Sequence, residues 1–386
     1  MIIDTITIIV CSVLLILAVA ATMCNPLLRR LVATLTTEEH DNDNDDEVKQ
    51  SPKLSVIITV HDQAQDLENH LPIILSQDYE PGYEVIVVDE SSTDDTEDVL
   101  NRMKQHCKNL YTTFIPESSH YLSRRKLALT LGVKAAKNEW LVFTDADCQP
   151  ESDQWLKAIA KQCTDQTDIV LGYTRYENKT PLYWRFERLI SQWRLMKMAT
   201  KGMAYRYNGN NLAVRKSIFM KHNGFLKNLK YLRGEYDFMV NEYAQPNRTA
   251  IALEPDARIC QDMPSKRAWV NTHLYYLETQ QHLRGAHAYK IKGALCSTLL
   301  HLAYLTQIGA LSFSIVTNMW IVTAVSIFCF LLTFTLRGII GHKALKNIGE
   351  QISTFCIPFM EIRAIWQYLI FKIRYIHADK YDFIRR

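Results

Sequence analysis

No two cysteines in this 386-residue chain are spaced CxxC, although there are nine of them. That absence argues against a structural zinc site, and scattered thiols suit a reducing compartment better than a disulfide framework. An excess of one charge is also missing: 44 Lys and Arg stand against 41 Asp and Glu, for a formal charge of +3. No general attraction to nucleic acid follows, and none is expected as a partner. Glycine is absent from "TVHDQAQD", residues 59–66, where a dinucleotide oxidoreductase needs a glycine-rich turn.

Charge is missing altogether from two intervals. None falls between Asp4 and Arg29, where "TITIIVCSVLLILAVAATMC" lies. A cleaved signal usually begins with basic residues, whereas this one begins "MIID" and is followed by Arg29 and Arg30. We expect an uncleaved span with the basic pair in the cytoplasm. The second interval holds 44 residues between Lys292 and Arg337, enough for two spans and a tight turn near residues 314–318. Arg337, His342, Lys343 and Lys346 follow as another cytoplasmic flank. The expected location is the inner, cytoplasmic membrane, crossed several times, with the middle of the chain in the cytoplasm. On that side the sequons at Asn178 and Asn247 carry no weight. The last stretch mixes Trp366, Tyr368, Phe371 and Tyr375 with Arg363, Lys372 and Arg374. It reads as an amphipathic helix lying on the membrane, with a third return span as the alternative.

The resulting division is an anchor over 1–30, an acidic linker over 31–53, a folded domain over 54–290, two membrane helices over 293–337 and a cytoplasmic tail over 338–386. Within the domain, "LSVIITV", "YEVIVVD", "YTTFI" and "EWLVFTD" have the β-branched, apolar character of buried strands. Helical patterns alternate with them: Leu67, Leu71, Ile74 and Leu75 in the first, "STDDTEDVLNRM" with a capping-box spacing of Asp94 and Glu97 in the second, and residues 123–137 in the third. The alternation predicts an α/β fold with a mainly parallel sheet.

Ligands bind at the C-terminal ends of such strands. Asp62, Asp89, Asp145 and Asp147 all fall at or just past those ends. Hard carboxylate ligands of this kind suit Mg²⁺ or Mn²⁺ on a diphosphate. The simpler alternative is that Asp145 ends a strand and Asp147 caps a helix beginning near Glu151.

Five segments, in order, resemble the inverting family 2 glycosyltransferases of the membrane-anchored bacterial type: "SVIITVHDQ", "VIVVDESSTDDT", "SRRKLALTLGVKAAKNEWLVFTDADC", "NGNNLAVRKSIF" and "RGEYDFMVNEYA". The resemblance covers residues 54–280 or so. It implies the GT-A fold, a nucleotide-sugar donor, here a UDP-sugar, and a glycan or lipid-linked acceptor. It implies that Asp89 binds uracil or ribose with Thr59, His61 and Gln63 lining the same pocket. Asp145 lies near the ribose and sugar, Asp147 and Asp145 form the Mg²⁺ or Mn²⁺ site, and Lys126 contacts the donor. Inversion by single displacement needs one carboxylate base for the acceptor hydroxyl. Asp237 is the first choice and Glu235 its rival.

The pattern departs from the family in three places. Gln63 replaces the usual Glu, Tyr236 replaces the middle acid of the acidic helix, and Thr272 and Tyr275 stand where the QxxRW motif of polymer synthases has Gln and Arg. Single-sugar transfer is therefore expected, with Lys266, Arg267 or His273 as substitutes for the missing arginine. A processive polysaccharide synthase and a non-catalytic membrane partner with the same fold are the alternatives.

Overall fold

The computed structural model describes residues 4–28, 31, 51–116, 123–350 and 352–379. Arg29, Arg30 and nearly all of the expected acidic linker lie outside the described residues. Contacts divide the chain into two units, Met1–Arg30 with Gly285–Ile373, and Leu31–Arg284 with Arg374–Arg386. In chain order the elements are α1 (Thr5–Met23), β1 (Leu54–Val60), α2 (Ala64–Leu75), β2 (Tyr83–Asp89), α3 (Thr96–His106), β3 (Leu110–Phe114), α4 (Arg124–Ala135), β4 (Trp140–Asp145), β5 (Cys148–Pro150), α5 (Trp155–Ala160), β6 (Ile169–Gly172), β7 (Thr174–Tyr176), α6 (Leu182–Ala199), β8 (Leu212–Arg215), α7 (Lys216–Lys221), α8 (Glu235–Tyr243), β9 (Thr249–Ala252), β10 (Ile259–Gln261), α9 (Lys266–Thr279), α10 (Ala286–Val316), α11 (Trp320–Asn347) and α12 (Cys356–His377).

The larger unit is built on a seven-stranded sheet in the order β3-β2-β1-β4-β8-β6-β9. Only β8 runs against its neighbours; the other pairings are parallel. Every residue of β1 is buried, which is why its sequence runs apolar without alternation: helices or loops cover both faces. On one face α4 comes close enough that a Cβ on Gly132 would stand 2.7 Å from Ile57 Cγ2, so glycine is required for that approach. Ser123 caps α4, accepting a hydrogen bond from the Lys126 amide at 3.4 Å.

Two caps differ from their expected form. Asp94 accepts from the Thr96 amide at 3.1 Å, while its other oxygen accepts from the Ala64 amide at 3.0 Å. It thus serves the starts of two helices, α2 and α3, rather than forming a reciprocal box with Glu97. Asp147 caps no helix, because the residues after it form β5 and α5 begins only at Trp155, behind Gln154. β5 joins β10 and β7 in a small second sheet in the order β5-β10-β7.

In the other unit, α1, α10 and α11 are long and apolar enough to cross a membrane. The turn between α10 and α11 is made at Thr317–Met319, with Asn318 in the left-handed region at φ 56°. Leu14 and Ala18 of α1 pack with Cys329 of α11. Two pairs of polar side chains inside this unit bond to each other: Thr323 donates to Ser314 at 2.8 Å and Gln307 to Thr333 at 3.2 Å. Arg337 is 4 % exposed, donating to Glu361 of α12 at 2.7 Å and to the Ala21 carbonyl of α1 at 2.5 Å. α12 buries Ile357, Glu361 and Phe371 and exposes Phe359, Trp366, Ile370 and Ile373.

Candidate active site

In the large sheet β1 pairs with β2 on one side and β4 on the other, so the strand order reverses at β1. A crevice opens beyond the strand ends at such a reversal. The register brings the expected residues there: Val60 is the partner of Asp89, and Thr59 is the partner of Asp145. Thr59 is buried beneath the crevice.

A chain of hydrogen bonds ties the two loops above β1 and β2 together. The Asp62 amide donates to Ser92 Oγ at 2.9 Å, and that hydroxyl donates to Asp89 Oδ1 at 2.5 Å. The Thr93 amide donates to Asp62 Oδ1 at 2.7 Å, which holds the Asp62 carboxyl below its ordinary range. Asp62 and Ser91 both sit at positive φ, 51° and 65°. Such strain in non-glycine residues is retained where surrounding structure fixes it. The second oxygen of Asp89 has no hydrogen-bond partner among the described residues. His61 is exposed at the same edge, 3.6 Å from Asp62. Gln63 is turned to its own helix, its amide donating to Asp66 at 3.0 Å.

Asp145 Oδ1 takes two donors, Arg125 Nη2 at 2.5 Å and the Tyr236 hydroxyl at 3.2 Å. The Tyr236 that replaces the family's middle acid is therefore bound to the first aspartate of the DxD pair. Asp147 Oδ2 accepts from Gln261 Nε2 at 2.8 Å. Burial and the neighbouring charge of Asp145 push the Asp147 carboxyl up to about 6, against the Gln261 hydrogen bond. A buried carboxylate raised in this way beside a second one suits a divalent cation, which would offset the charge. Among the described residues no group of three or more His, Cys, Asp or Glu converges, so the protein alone does not form a cage. One or two carboxylates with substrate phosphates and water is the arrangement Mg²⁺ accepts.

Lys126 departs from expectation. It is fully buried, and its ammonium donates to the Asn228 carbonyl at 2.7 Å and the Tyr231 carbonyl at 2.6 Å. Burial outweighs the charge of Glu235 and lowers its pKa to about 8. It fastens the segment leading to α8 instead of reaching the crevice. The preceding residue, Arg125, is the cation that meets Asp145. One residue of helix rotation separates these roles, and the sequence "SRRK" gives no sign of which cation turns outward.

The two candidate bases also separate. Asp237 is 7 % exposed and paired with Arg206 at 2.9 Å, while that guanidinium lies 3.6 Å from the Tyr276 ring centre. Burial pushes the Asp237 carboxyl up and Arg206 pulls it back, with a net rise. Glu235, the first residue of α8, is equally buried, and its Oε1 has no hydrogen-bond partner.

Of the three substitutes for the missing arginine, His273 is held between the Trp269 carbonyl at 2.7 Å and Glu187 at 2.5 Å. Lys266 and Arg267 are exposed in the first turn of α9. Trp269 stacks on Trp184 with ring centres 4.6 Å apart.

Comparison with known proteins agrees with this geometry. Residues 55–225 match Glycosyl transferase family 2. Glycosyltransferase AglE of Haloferax volcanii is 32% identical over 127 residues, 32% of this chain and 40% of that protein. A poly(ribitol-phosphate) beta-glucosyltransferase of Bacillus spizizenii is 28% identical over 121 residues, 31% of this chain and 19% of the relative. The match thus spans less than half the length of these curated relatives. Among solved structures, the mannosyltransferase PcManGT of Pyrobaculum calidifontis, in complex with GDP-Man and Mn²⁺, superposes with a TM-score of 0.55 at 16% identity, covering 93% of this chain and 98% of that one. Together with the strand order and the carboxylates at its reversal, these matches make residues 55–225 similar to a glycosyl transferase family 2 domain, on a GT-A fold.

Proposed function

We propose that this protein is an inverting glycosyltransferase, moving a hexose from a UDP-sugar to a cell-surface glycan or lipid-linked acceptor at the inner membrane. The observation that carries the reading is the convergence of Thr59, Asp89 and Asp145 in adjacent register at the strand-order reversal, with Asp147 just beyond. The relatives' printed activities support a sugar donor: one is a glucosyltransferase, and the structural relative holds GDP-Man with Mn²⁺.

Asp89, with one oxygen unpartnered, binds the nucleoside, and the strained turn of His61 and Asp62 closes over it. Asp147 and Asp145 hold Mg²⁺ or Mn²⁺, which when bound supplies positive charge against the departing diphosphate. Arg125 and Tyr236 keep the Asp145 carboxylate oriented. The bond from the anomeric carbon to the diphosphate breaks as the acceptor oxygen attacks from the opposite side. The acceptor proton passes to a carboxylate, and the nucleoside diphosphate leaves with the bonding pair. We assign the base to Glu235, since Arg206 holds Asp237 in an ion pair. Thr272 and Tyr275 in place of the Gln and Arg of the polymer-synthase motif support transfer of a single sugar. The three apolar helices support a membrane anchor, with the domain in the cytoplasm and α12 lying along the surface.

The test is nucleoside diphosphate release by purified full-length protein from a panel of UDP- and GDP-sugars, with Mn²⁺ and with EDTA. Metal-dependent release by the wild type, lost in Asp147→Ala, is expected. No release and no nucleotide binding under any condition would favour a non-catalytic partner.

A further inference from the structure

α6 carries a partly buried cation that the expected site did not include. Arg188 donates through Nη1 to the Tyr176 hydroxyl at 3.4 Å, and its guanidinium lies 4.9 Å from the centre of that ring. Its Nε and Nη2 atoms are buried and have no hydrogen-bond partner. Among the described residues no carboxylate lies within 4.0 Å of it, in contrast to Arg125, Arg206 and Arg337, each of which has an acid. Two buried guanidinium nitrogens left without acceptors are a costly arrangement for an isolated protein. It is an apt one for a protein that awaits a doubly charged ligand, because the guanidinium fork matches phosphate oxygens.

The small sheet places this cation beside the metal-site carboxylate. Gln261 is the register partner of Cys148 on one side and of Tyr176 on the other. Residues in one such row share a face of the sheet, with neighbouring strands about 4.8 Å apart. From that row Gln261 reaches Asp147, and Tyr176 carries Arg188. Burial opposes the charge of Arg188, and Tyr176, Tyr207, Cys148 and Asp147 favour it, with a net preference for the charged form.

We infer that Arg188 binds the diphosphate of the donor and of the departing nucleoside diphosphate, its Nε and Nη2 donating to phosphate oxygens on the side of Asp147 formed by the small sheet. This rests on the transferase reading above and adds to it a cation for the diphosphate. Arg188 comes from α6, not from α9 where the sequence placed the substitutes.

The decisive experiment compares UDP, GDP, UMP and GMP binding, with Mn²⁺ present, by full-length wild type, Arg188→Met and Arg188→Lys, using calorimetry and thermal unfolding. Met keeps the stem and removes the charge. The expected result is diphosphate binding weakened roughly 10–100-fold in Arg188→Met, as loss of charge-assisted hydrogen bonds implies, with Arg188→Lys in between. Monophosphate binding should change far less, and the unfolding temperature of Arg188→Met should not fall. Equal diphosphate binding by all three proteins overturns the inference. So does a parallel loss of monophosphate binding and of thermal stability in both variants, which is the mark of a structural role. A wild type that binds neither UDP nor GDP overturns the transferase reading itself.

Discussion

Arg206 Nη1 lies 2.9 Å from Asp237 Oδ1, and this pair puts the two acids of α8 in different surroundings. Asp237 is fixed in a buried ion pair, whereas Glu235 keeps a buried oxygen without a partner. Replacing Asp237 by Ala leaves the Arg206 charge uncompensated and should cost about 3–5 kcal/mol of unfolding free energy. Glu235→Gln is nearly isosteric and should leave stability within about 1 kcal/mol while lowering kcat roughly 10²–10⁴-fold. Urea unfolding and steady-state kinetics on both variants check this. Full kcat in Glu235→Gln would remove Glu235 as the base.

Asp147 is the carboxylate we assign to the cation. Asp147→Asn should weaken Mn²⁺ binding, measured by electron paramagnetic resonance titration with UDP present, at least about tenfold, since a neutral amide is a poor ligand for a hard divalent ion. Gln261→Leu, which removes the hydrogen bond orienting Asp147, should produce a smaller loss in the same titration. Unchanged Mn²⁺ affinity in Asp147→Asn would place the cation elsewhere.

Lys126 makes stability depend on alkaline pH. Its folded-state pKa, about 8, lies below the ordinary 10.5, so between those values the unfolded chain binds the proton that the folded chain has released. The contribution of this group therefore rises with pH across that window, and its burial penalty is complete below pH 8. Lys126→Met has no such titration. Between pH 8 and 10.5 the wild type should gain on the variant by on the order of 3 kcal/mol in urea unfolding. A constant difference across the window would show that the ammonium is not desolvated.

The membrane-type unit contains its own test of burial. Arg337 and Glu361 are both nearly inaccessible and 2.7 Å apart. Arg337→Leu alone should lower stability in detergent by about 3–5 kcal/mol, and the double change with Glu361→Leu should recover most of it. The readout is the thermal unfolding midpoint of the solubilised chain. A double variant no better than the single one would mean that the Ala21 carbonyl contact outweighs the ion pair.

Much of this was legible in the chain because it follows from local pattern. β1, β2 and β4 are largely buried on both faces, and such strands appear as uninterrupted apolar runs; β2 and β4 end in Asp89 and Asp145, which the register brings to either side of β1. The arrangement around Asp147 was not legible. β5 and β10 are three residues long, too short for a period, and Gln261 meets Asp147 across 114 positions. The Asp237–Arg206 pair, 31 positions apart, has no local signal either. Neither does Arg188, whose significance lies in lacking an acid, a property only the folded chain displays. The choice between Lys126 and Arg125 turned on helix phase, and two adjacent cations at the start of a helix look alike in sequence.

The Arg337 to Ala21 hydrogen bond joins residues 316 positions apart. Synthesis at about 5–20 residues per second puts roughly 15–60 s between the emergence of α1 and that of its buried cation. The entire sheet domain is translated in that interval. The first helix must therefore wait without the partner that caps its last turn while the sheet domain is made. Assembly of this helical unit then reports that the chain has been read through, because only a ribosome that has passed the domain can deliver Arg337.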